Sequence, residues 1–287
     1  MAAPICYLPA NSQGKDYIVG DLHGCFSLLE RLLNAAHFDE SKDRLFSVGD
    51  LIDRGPESLR CIQLLDEAWF YAVRGNHELM MAEFFDTYLL QGSIADLSSA
   101  DENGFLEYGG DWVKRYFLAD EQCMTAEFDR CLNMTLHLPL IYVVGEGKQR
   151  FHIIHAELAK SNQDYSNDMT VWQDSDIDAW YTAQSIPEEI ESNLCWGRAL
   201  MLSHLVDFES TAIHPGLSPT FCGHTPRPKL RRALSHVCID TGAFVSLKPA
   251  FFRVSGEEFG LTLFDVSASS WVFASYLRDE VVWGTLF

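Results

Sequence analysis

The chain has 287 residues, 47% of them hydrophobic and 22% charged, ordinary values for a globular protein long enough to bury a sizeable core, and they exclude a disordered chain. Its 41 acidic against 21 basic residues give a net charge of −20, which makes nucleic acid and anionic membranes poor partners. No apolar run approaches the roughly 18 residues of a membrane span, and residues 1–16 lack a basic segment followed by a long apolar one, so the cytoplasm is the expected location.

In chain order, the apolar stretch Tyr17-Ile18-Val19 runs into Gly20-Asp21-Leu22-His23-Gly24. Leu45-Phe46-Ser47-Val48 runs into Gly49-Asp50-Leu51-Ile52-Asp53-Arg54-Gly55, and Trp69-Phe70-Tyr71-Ala72-Val73 into Arg74-Gly75-Asn76-His77-Glu78. Between these blocks Phe26, Leu28, Leu29, Leu32 and Leu33, then Leu59, Ile62, Leu64 and Leu65, recur at helical spacing. This βαβαβ order predicts parallel strands with their loops gathered at the C-terminal ends. The blocks are dense in oxygen and nitrogen donors, so the strand ends are expected to deliver metal ligands. In Asp21-x-His23 side chains two apart share a face and can converge on one ion. Asp50 arrives from the next strand with two oxygens able to bridge two cations, Asn76 adds an amide oxygen, and His77 adds a group able to give a proton near neutral pH. One such block could be a helix cap; three in order are poorly explained that way.

From Leu79 to about Leu132 the chain reads mainly helical, interrupted by a loop at Gly92 to Gly104 and by Gly109-Gly110. Strand signals return at Leu140–Val144, Phe151–His155, Thr220–Gly223, Val237–Asp240, Gly260–Val266 and Trp271–Tyr276. There is no internal repeat or linker, so one domain over 1–287 is expected. The cysteines Cys6, Cys25, Cys61, Cys123, Cys131, Cys195, Cys222 and Cys238 form no C-x-x-C pair and are expected to be reduced and mostly buried. Between Ser161 and Cys195 stand Asp164, Asp168, Asp174, Asp176, Asp178, Glu188, Glu189 and Glu191 with no Lys or Arg. Lying between two candidate site residues, this acidic stretch is expected near the cleft; its plain reading is a solvated acidic surface, and the sharper one that it favours phosphopeptides with basic flanks and repels polyphosphates.

The series GDLHG, GDLIDRG and RGNHE resembles the signature of the metal-dependent phosphoprotein phosphatases of the calcineurin-like metallophosphoesterase superfamily, especially the bacterial and phage lambda type. The likeness continues through Ile153-Ile154-His155-Ala156, Trp196-Gly197-Arg198, Phe221-Cys222-Gly223-His224-Thr225-Pro226 and Ile239-Asp240-Thr241-Gly242-Ala243, covering about residues 16–266 and leaving 267–287 as an extension. It implies an α/β (α+β) fold with a core of two packed mixed β-sheets flanked by helices. By the same resemblance Asp21, His23 and Asp50 hold one metal, and Asp50, Asn76, His155 and His224 the other. Carboxylate, amide and imidazole donors without thiolate suit Mn²⁺, with Fe²⁺ or Zn²⁺ as alternatives. Two such ions about 3.5–4 Å apart activate a bridging water for direct attack on a phosphate monoester. His77, oriented by Asp53, is expected to protonate the leaving group, with Arg54 and Arg198 on the phosphate oxygens. Arg74 either joins them or pairs with Glu78. Many relatives carry glycine after the histidine of the fourth block, whereas Ala156 and Glu157 follow His155 here, closer to the phage-type version.

The implied substrate is a phosphoprotein or phosphopeptide bearing phosphoserine or phosphothreonine, and the alternative is a symmetrical dinucleoside polyphosphate hydrolase. A two-metal phosphodiesterase or nuclease usually carries a second histidine in its last ligand block, where Thr225 and Pro226 follow His224 here. A scaffold that binds without turnover is disfavoured because every ligand and the acid are kept. No oligomeric state is implied.

Overall fold

The structure, a computed structural model, describes residues 3–91, 104–118, 123–160, 169–203, 213–248, 250 and 256–286. Most of the expected loop 92–104, and Asp164 and Asp168, lie outside the described residues.

The first half contains β1 (Ile5–Leu8), β2 (Asp16–Val19), α1 (Phe26–Ala35), β3 (Arg44–Ser47), α2 (Ser58–Gln63), β4 (Phe70–Ala72) and α3 (Asn76–Gln91). A 3-10 turn (Gly110–Tyr116), the hairpin β5 (Phe117–Leu118) and β6 (Cys123–Met124), and α4 (Ala126–Thr135) follow. The second half contains β7 (Ile141–Val144), β8 (Phe151–Ile153), β9 (Ala159–Lys160), β10 (Thr170–Val171), α5 (Asp174–Ala183) and α6 (Glu188–Trp196). It ends with β11 (Thr220–Cys222), β12 (Arg231–Ala233), β13 (His236–Cys238), β14 (Leu261–Asp265), β15 (Ser270–Ala274) and β16 (Val282–Thr285).

One six-stranded sheet has the order β1-β7-β8-β11-β13-β12, the other β16-β15-β14-β2-β3-β4. Both are mixed. β2, β3 and β4 are parallel, as the βαβαβ pattern requires, and so are β8, β11 and β13. Ile18, Phe46 and Phe264 from one sheet share a buried cluster with Val144, Phe151, Ile153, Phe221 and Val237 from the other, so the sheets pack face to face. Phe46 meets Phe151 edge-on at 6.1 Å between ring centroids, and Phe221 meets Phe264 at 5.1 Å, the offset geometry that aromatic quadrupoles favour.

Helices cover the outer faces because each presents one apolar stripe. Leu28, Leu29 and Leu32 of α1 bury against Val19, Leu45 and Leu263, while Ile177 of α5 and Ile190 and Leu194 of α6 bury against Ile5, Ile141 and Ile154. α1 starts at Cys25 with no side-chain cap, and its Ser27 amide donates instead to Glu57 Oε2 at 2.9 Å. α4 is capped locally, Thr125 Oγ1 accepting from the Phe128 amide.

Within the two six-stranded sheets three strands had no sequence signal, β1, β12 and β16, and neither did the short pairs β5–β6 and β9–β10. Arg231-Arg232-Ala233 reads as polar, yet both arginines are buried against β13. The extension 267–287 supplies β15 and β16, which continue the second sheet beyond β14. The interval between His155 and Arg198 supplies α5 and α6, and here the acidic reading needs correction. Asp174 and Asp178 face Arg150 and His152 at the start of β8, the end away from His155, where Arg150 Nη2 meets Asp178 Oδ1 at 2.6 Å. Both carboxylates pair with the Arg150 guanidinium, so these two acids are held by their own fold at that end of β8.

His236 in β13 is fully buried, its Nε2 accepting from the Leu158 amide at 3.0 Å while Nδ1 donates to Leu234 O at 3.1 Å. The first contact requires an unprotonated Nε2 and so a neutral imidazole, and burial pushes its pKa down to about 4 from 6.5. The unfolded chain takes up a proton below 6.5 that the folded chain refuses until about 4. Stability therefore falls as pH drops through that window, by about 3 kcal/mol from this residue. His236→Gln, which keeps an acceptor without titrating, is expected to flatten the fall in thermal midpoint between about pH 7 and about pH 5. Equal slopes for both proteins would remove His236 from the account.

Candidate metal centre

Six strand ends, three from each sheet, deliver polar residues to one place: Asp21 and His23 after β2, Asp50 to Arg54 after β3, Asn76 and His77 after β4, His155 after β8, His224 after β11 and Asp240 after β13. All of these except Arg54 are buried. His23, Asp50, Asp53, Arg54 and His224 hold φ between 42° and 72°, the left-handed region that costs a non-glycine residue about 1–3 kcal/mol. Two glycines let the backbone close on carboxylates. A Cβ at Gly75 would run into Asp50 Oδ1, and one at Gly223 into Asp21 Oδ1.

The ligand atoms of His23, Asp50 and His77 lie within 4.8 Å of one another, as do those of Asp50, His155 and His224, so Asp50 belongs to both groups. Its Oδ2 is 3.5 Å from His23 Nε2 and its Oδ1 is 3.4 Å from His155 Nε2. His155 Nδ1 donates to Val48 O at 2.7 Å, which leaves its Nε2 a lone pair facing Asn76 Oδ1 at 3.0 Å and His224 Nδ1 at 3.1 Å. His23 is set in the same way, Nδ1 donating to Ile52 O at 2.9 Å. Asp21 accepts the His224 amide at 3.0 and 3.2 Å.

Burial, then the carboxylates of Asp240 and Asp50, push Asp21 well above the usual carboxyl range. Burial acts upward on Asp50 too, but it is held low by the ring of histidines around it, His155, His77, His23 and His224, of which His77 alone has a raised pKa. Burial pushes His23, His155 and His224 down, so these rings are neutral and their lone pairs available. Buried anions that repel one another, imidazole lone pairs that converge, and a His224 Nε2 with no hydrogen-bond partner together fit divalent cations. Asp21, His23, Asp50, Asn76, His155 and His224 are the residues that would hold them.

His77 has a different environment. Its Nδ1 meets Asp53 Oδ2 at 2.6 Å, its amide donates to Asp50 Oδ1 at 3.0 Å, and its Nε2 is buried without a partner. Burial pulls its pKa down, but the charges of Asp50 and Asp53 prevail and the net shift is upward. At the mouth stand two exposed guanidiniums. Arg54 Nη1 meets His23 Nε2 at 2.7 Å with its Cζ 4.6 Å from the Phe244 ring centre, and Arg198 Nη1 donates to His224 O at 2.7 Å.

Arg74 is placed elsewhere. Its Nη2 donates to Leu136 O at 3.0 Å and Leu138 O at 3.2 Å, just past the C-terminus of α4, and no ion pair with Glu78 is present among the described residues. The expected pairing with Glu78 is therefore not seen, because the turn at Gly75 sends Arg74 toward carbonyls just past the end of α4. Glu78 instead accepts the amides of Asp50, Leu51 and Gly75 at 3.0, 2.7 and 2.8 Å, which ties the second block to the third. Burial, then the charge of Asp50, pushes Glu78 up to about 7.

Several participants were not singled out from sequence. Trp112 Nε1 donates to Asp53 Oδ1 at 2.7 Å. Glu157 accepts the Leu200 and Met201 amides at 2.9 and 2.7 Å and so anchors the loop carrying Arg198. Asp240, within a quoted block, raises Asp21 and accepts the Gly242 amide at 2.9 Å. The cysteines described, Cys6, Cys25, Cys61, Cys131, Cys195, Cys222 and Cys238, are free, and all but Cys6 are buried. No helix among the described residues is long and apolar enough to cross a membrane.

The chain is 38% identical over 157 residues to serine/threonine-protein phosphatase 1 of Salmonella typhimurium, covering 55% of this chain and 65% of that protein, just under two thirds of its length. To serine/threonine-protein phosphatase 2 of the same bacterium it is 30% identical over 240 residues, 83% of this chain and 92% of that protein. A symmetrical bis(5'-nucleosyl)-tetraphosphatase of Mannheimia succiniciproducens is 32% identical over 184 residues, 63% of this chain and 52% of that protein. Among solved structures, the cold-active protein-tyrosine phosphatase of a psychrophile, Shewanella sp., shares the fold with a TM-score of 0.53 at 14% identity, covering 99% of this chain and 82% of that one. The profile of the calcineurin-like phosphoesterases matches residues 17–228, which contain every ligand proposed above, and the chain therefore belongs to that family of metal-dependent hydrolases.

Proposed function

We propose that the chain is a dinuclear-metal-dependent phosphomonoesterase that hydrolyses phosphoserine and phosphothreonine in proteins, and phosphotyrosine and aryl phosphates as well. The observation that carries this reading is the buried Asp53–His77 pair set beside Asn76, with two exposed arginines above it. Likeness to Salmonella typhimurium serine/threonine-protein phosphatase 2 over most of both chains supports the substrate class.

When bound, two divalent ions, manganese by preference and Fe²⁺ or Zn²⁺ otherwise, neutralise phosphoryl oxygens and make water a better nucleophile. Arg54 and Arg198 present planar forks to the remaining oxygens and orient the ester. His77 carries its acid proton on Nε2 and gives it to the departing serine or threonine oxygen, which is too basic to leave unprotonated. Asp53 accepts the Nδ1 proton, so the ring keeps one orientation, and its charge steadies the imidazolium.

A second reading, hydrolysis of symmetrical dinucleoside polyphosphates, is favoured by the tetraphosphatase relative. Incubation with Mn²⁺ and, in parallel, p-nitrophenyl phosphate, a phosphoserine peptide and diadenosine tetraphosphate separates the two. The expected outcome is a kcat/KM for the phosphopeptide about tenfold or more above that for the dinucleotide. The opposite order would install the second reading.

A further inference from the structure

Asp53 is wholly buried, and each of its carboxylate oxygens has one donor: His77 Nδ1 on Oδ2 at 2.6 Å, Trp112 Nε1 on Oδ1 at 2.7 Å. We propose that Trp112 is a positioning residue for proton transfer, its indole N–H holding the second oxygen of Asp53 so that the carboxylate keeps His77 in one orientation. This rests on the reading of His77 as the acid.

The chemistry favours an indole at this place. It donates one hydrogen bond and accepts none, so it cannot compete with Asp53 for the imidazole proton, and its apolar body seals the carboxylate from water. A carboxylate with one fixed oxygen can pivot about the Cβ–Cγ bond; with both fixed it cannot. The indole is itself wedged, its ring meeting Phe128 at 5.7 Å and Tyr116 at 5.9 Å, nearly perpendicular to each.

A second contact brings the same segment onto the same loop. Gly109 O accepts the Arg54 amide at 3.4 Å, and a Cβ at Gly109 would stand 2.7 Å from that nitrogen. Gly109 also has φ of 111°, a conformation that side chains rarely adopt. Residues 109–112, far from the ligand blocks in sequence, thus press on Asp53 and Arg54 at adjacent points. Asp53 and Arg54 both hold positive φ, and a loop in that conformation needs such support from outside.

The test exploits the leaving group. An alkoxide needs a proton in the transition state, whereas p-nitrophenolate leaves without one, so loss of orientation at His77 lowers turnover of a phosphoserine peptide more than that of p-nitrophenyl phosphate. Trp112→Phe keeps the ring and removes the N–H. It is expected to lower kcat for the peptide about 10–100-fold, the usual effect of losing an orienting partner, with a several-fold smaller loss on p-nitrophenyl phosphate and unchanged bound metal. In proton NMR the downfield Nδ1–H signal of His77, assigned by its loss in His77→Asn, is expected to broaden or shift in Trp112→Phe. Phe128→Leu loosens the same packing without touching the N–H and is expected to keep the wild-type ratio between substrates. If Trp112→Phe does not fold, Trp112→His, which returns a ring N–H, replaces it and is expected to stay nearer wild type than Trp112→Leu. If His77→Asn changes the ratio while Trp112→Phe leaves both ratio and signal as in wild type, the positioning role is overturned and the acid stands. If neither variant changes the ratio, the acid assignment falls and the role of Trp112 falls with it.

Discussion

Substituting His77 with asparagine is expected to lower kcat for a phosphoserine peptide by ~10²–10⁴ while leaving KM nearly unchanged, the loss typical of a missing general acid. Asparagine can still hydrogen-bond Asp53 but has no proton to give. The geometry also makes this substitution a test of assignment, because His77 Nε2 lies 4.0 Å from Asp50 Oδ2 and groups spatially with His23 and Asp50. What separates His77 from the ligands is the carboxylate on its other nitrogen. His23 and His155 donate Nδ1 to backbone carbonyls, and burial holds them neutral. His77 donates to Asp53, and its pKa is raised. The first two are arranged to offer a lone pair, the third to carry a proton. Metal content measured on purified protein should therefore match wild type. A His77→Asn protein that loses an ion would make His77 a ligand, and one with full turnover would eliminate it as the acid.

Asp50→Asn is expected to have the larger effect. Asp50 belongs to both ligand groups, and four histidines surround its carboxylate. An amide keeps the shape, and its oxygen can still accept the His77 amide, but it brings no negative charge and one fewer lone-pair oxygen. Bound metal should fall from two ions per chain toward one or none, with activity reduced more than in His77→Asn. Stability should record the same loss. A ligand that binds only the folded chain stabilises it by RT ln(1 + [L]/Kd), about 2.7 kcal/mol at one hundred times Kd, so added Mn²⁺ should raise the wild-type thermal midpoint and leave that of Asp50→Asn nearly unmoved. Equal midpoint shifts and equal metal content in the two proteins would remove Asp50 from its bridging place.

The donor-bearing strand ends and the parallel order of β2, β3 and β4 were legible in the chain because both are encoded over a few residues. An apolar run ending in a glycine-bounded Asp-x-His is a strand end and a donor pair at once, and the structure groups His23, Asp50 and His77, and Asp50, His155 and His224, at neighbouring strand ends. The Arg74 pairing with Glu78 was misjudged because the two are close in sequence while the guanidinium reaches carbonyls more than sixty residues away. Trp112 gave no signal at all. Fifty-nine residues separate it from Asp53, and a tryptophan among Phe105, Tyr116 and Phe128 reads as core, which it also is. The acids of α5 looked like a cleft rim until folding set Asp174 and Asp178 beside Arg150, and Arg231-Arg232 became strand only because β13 offered its edge. Short-range rules of backbone and donor spacing carry a ligand block by themselves. Hydrogen bonds between distant segments depend on which surfaces pack together, and that is settled by burying one core across two sheets at once.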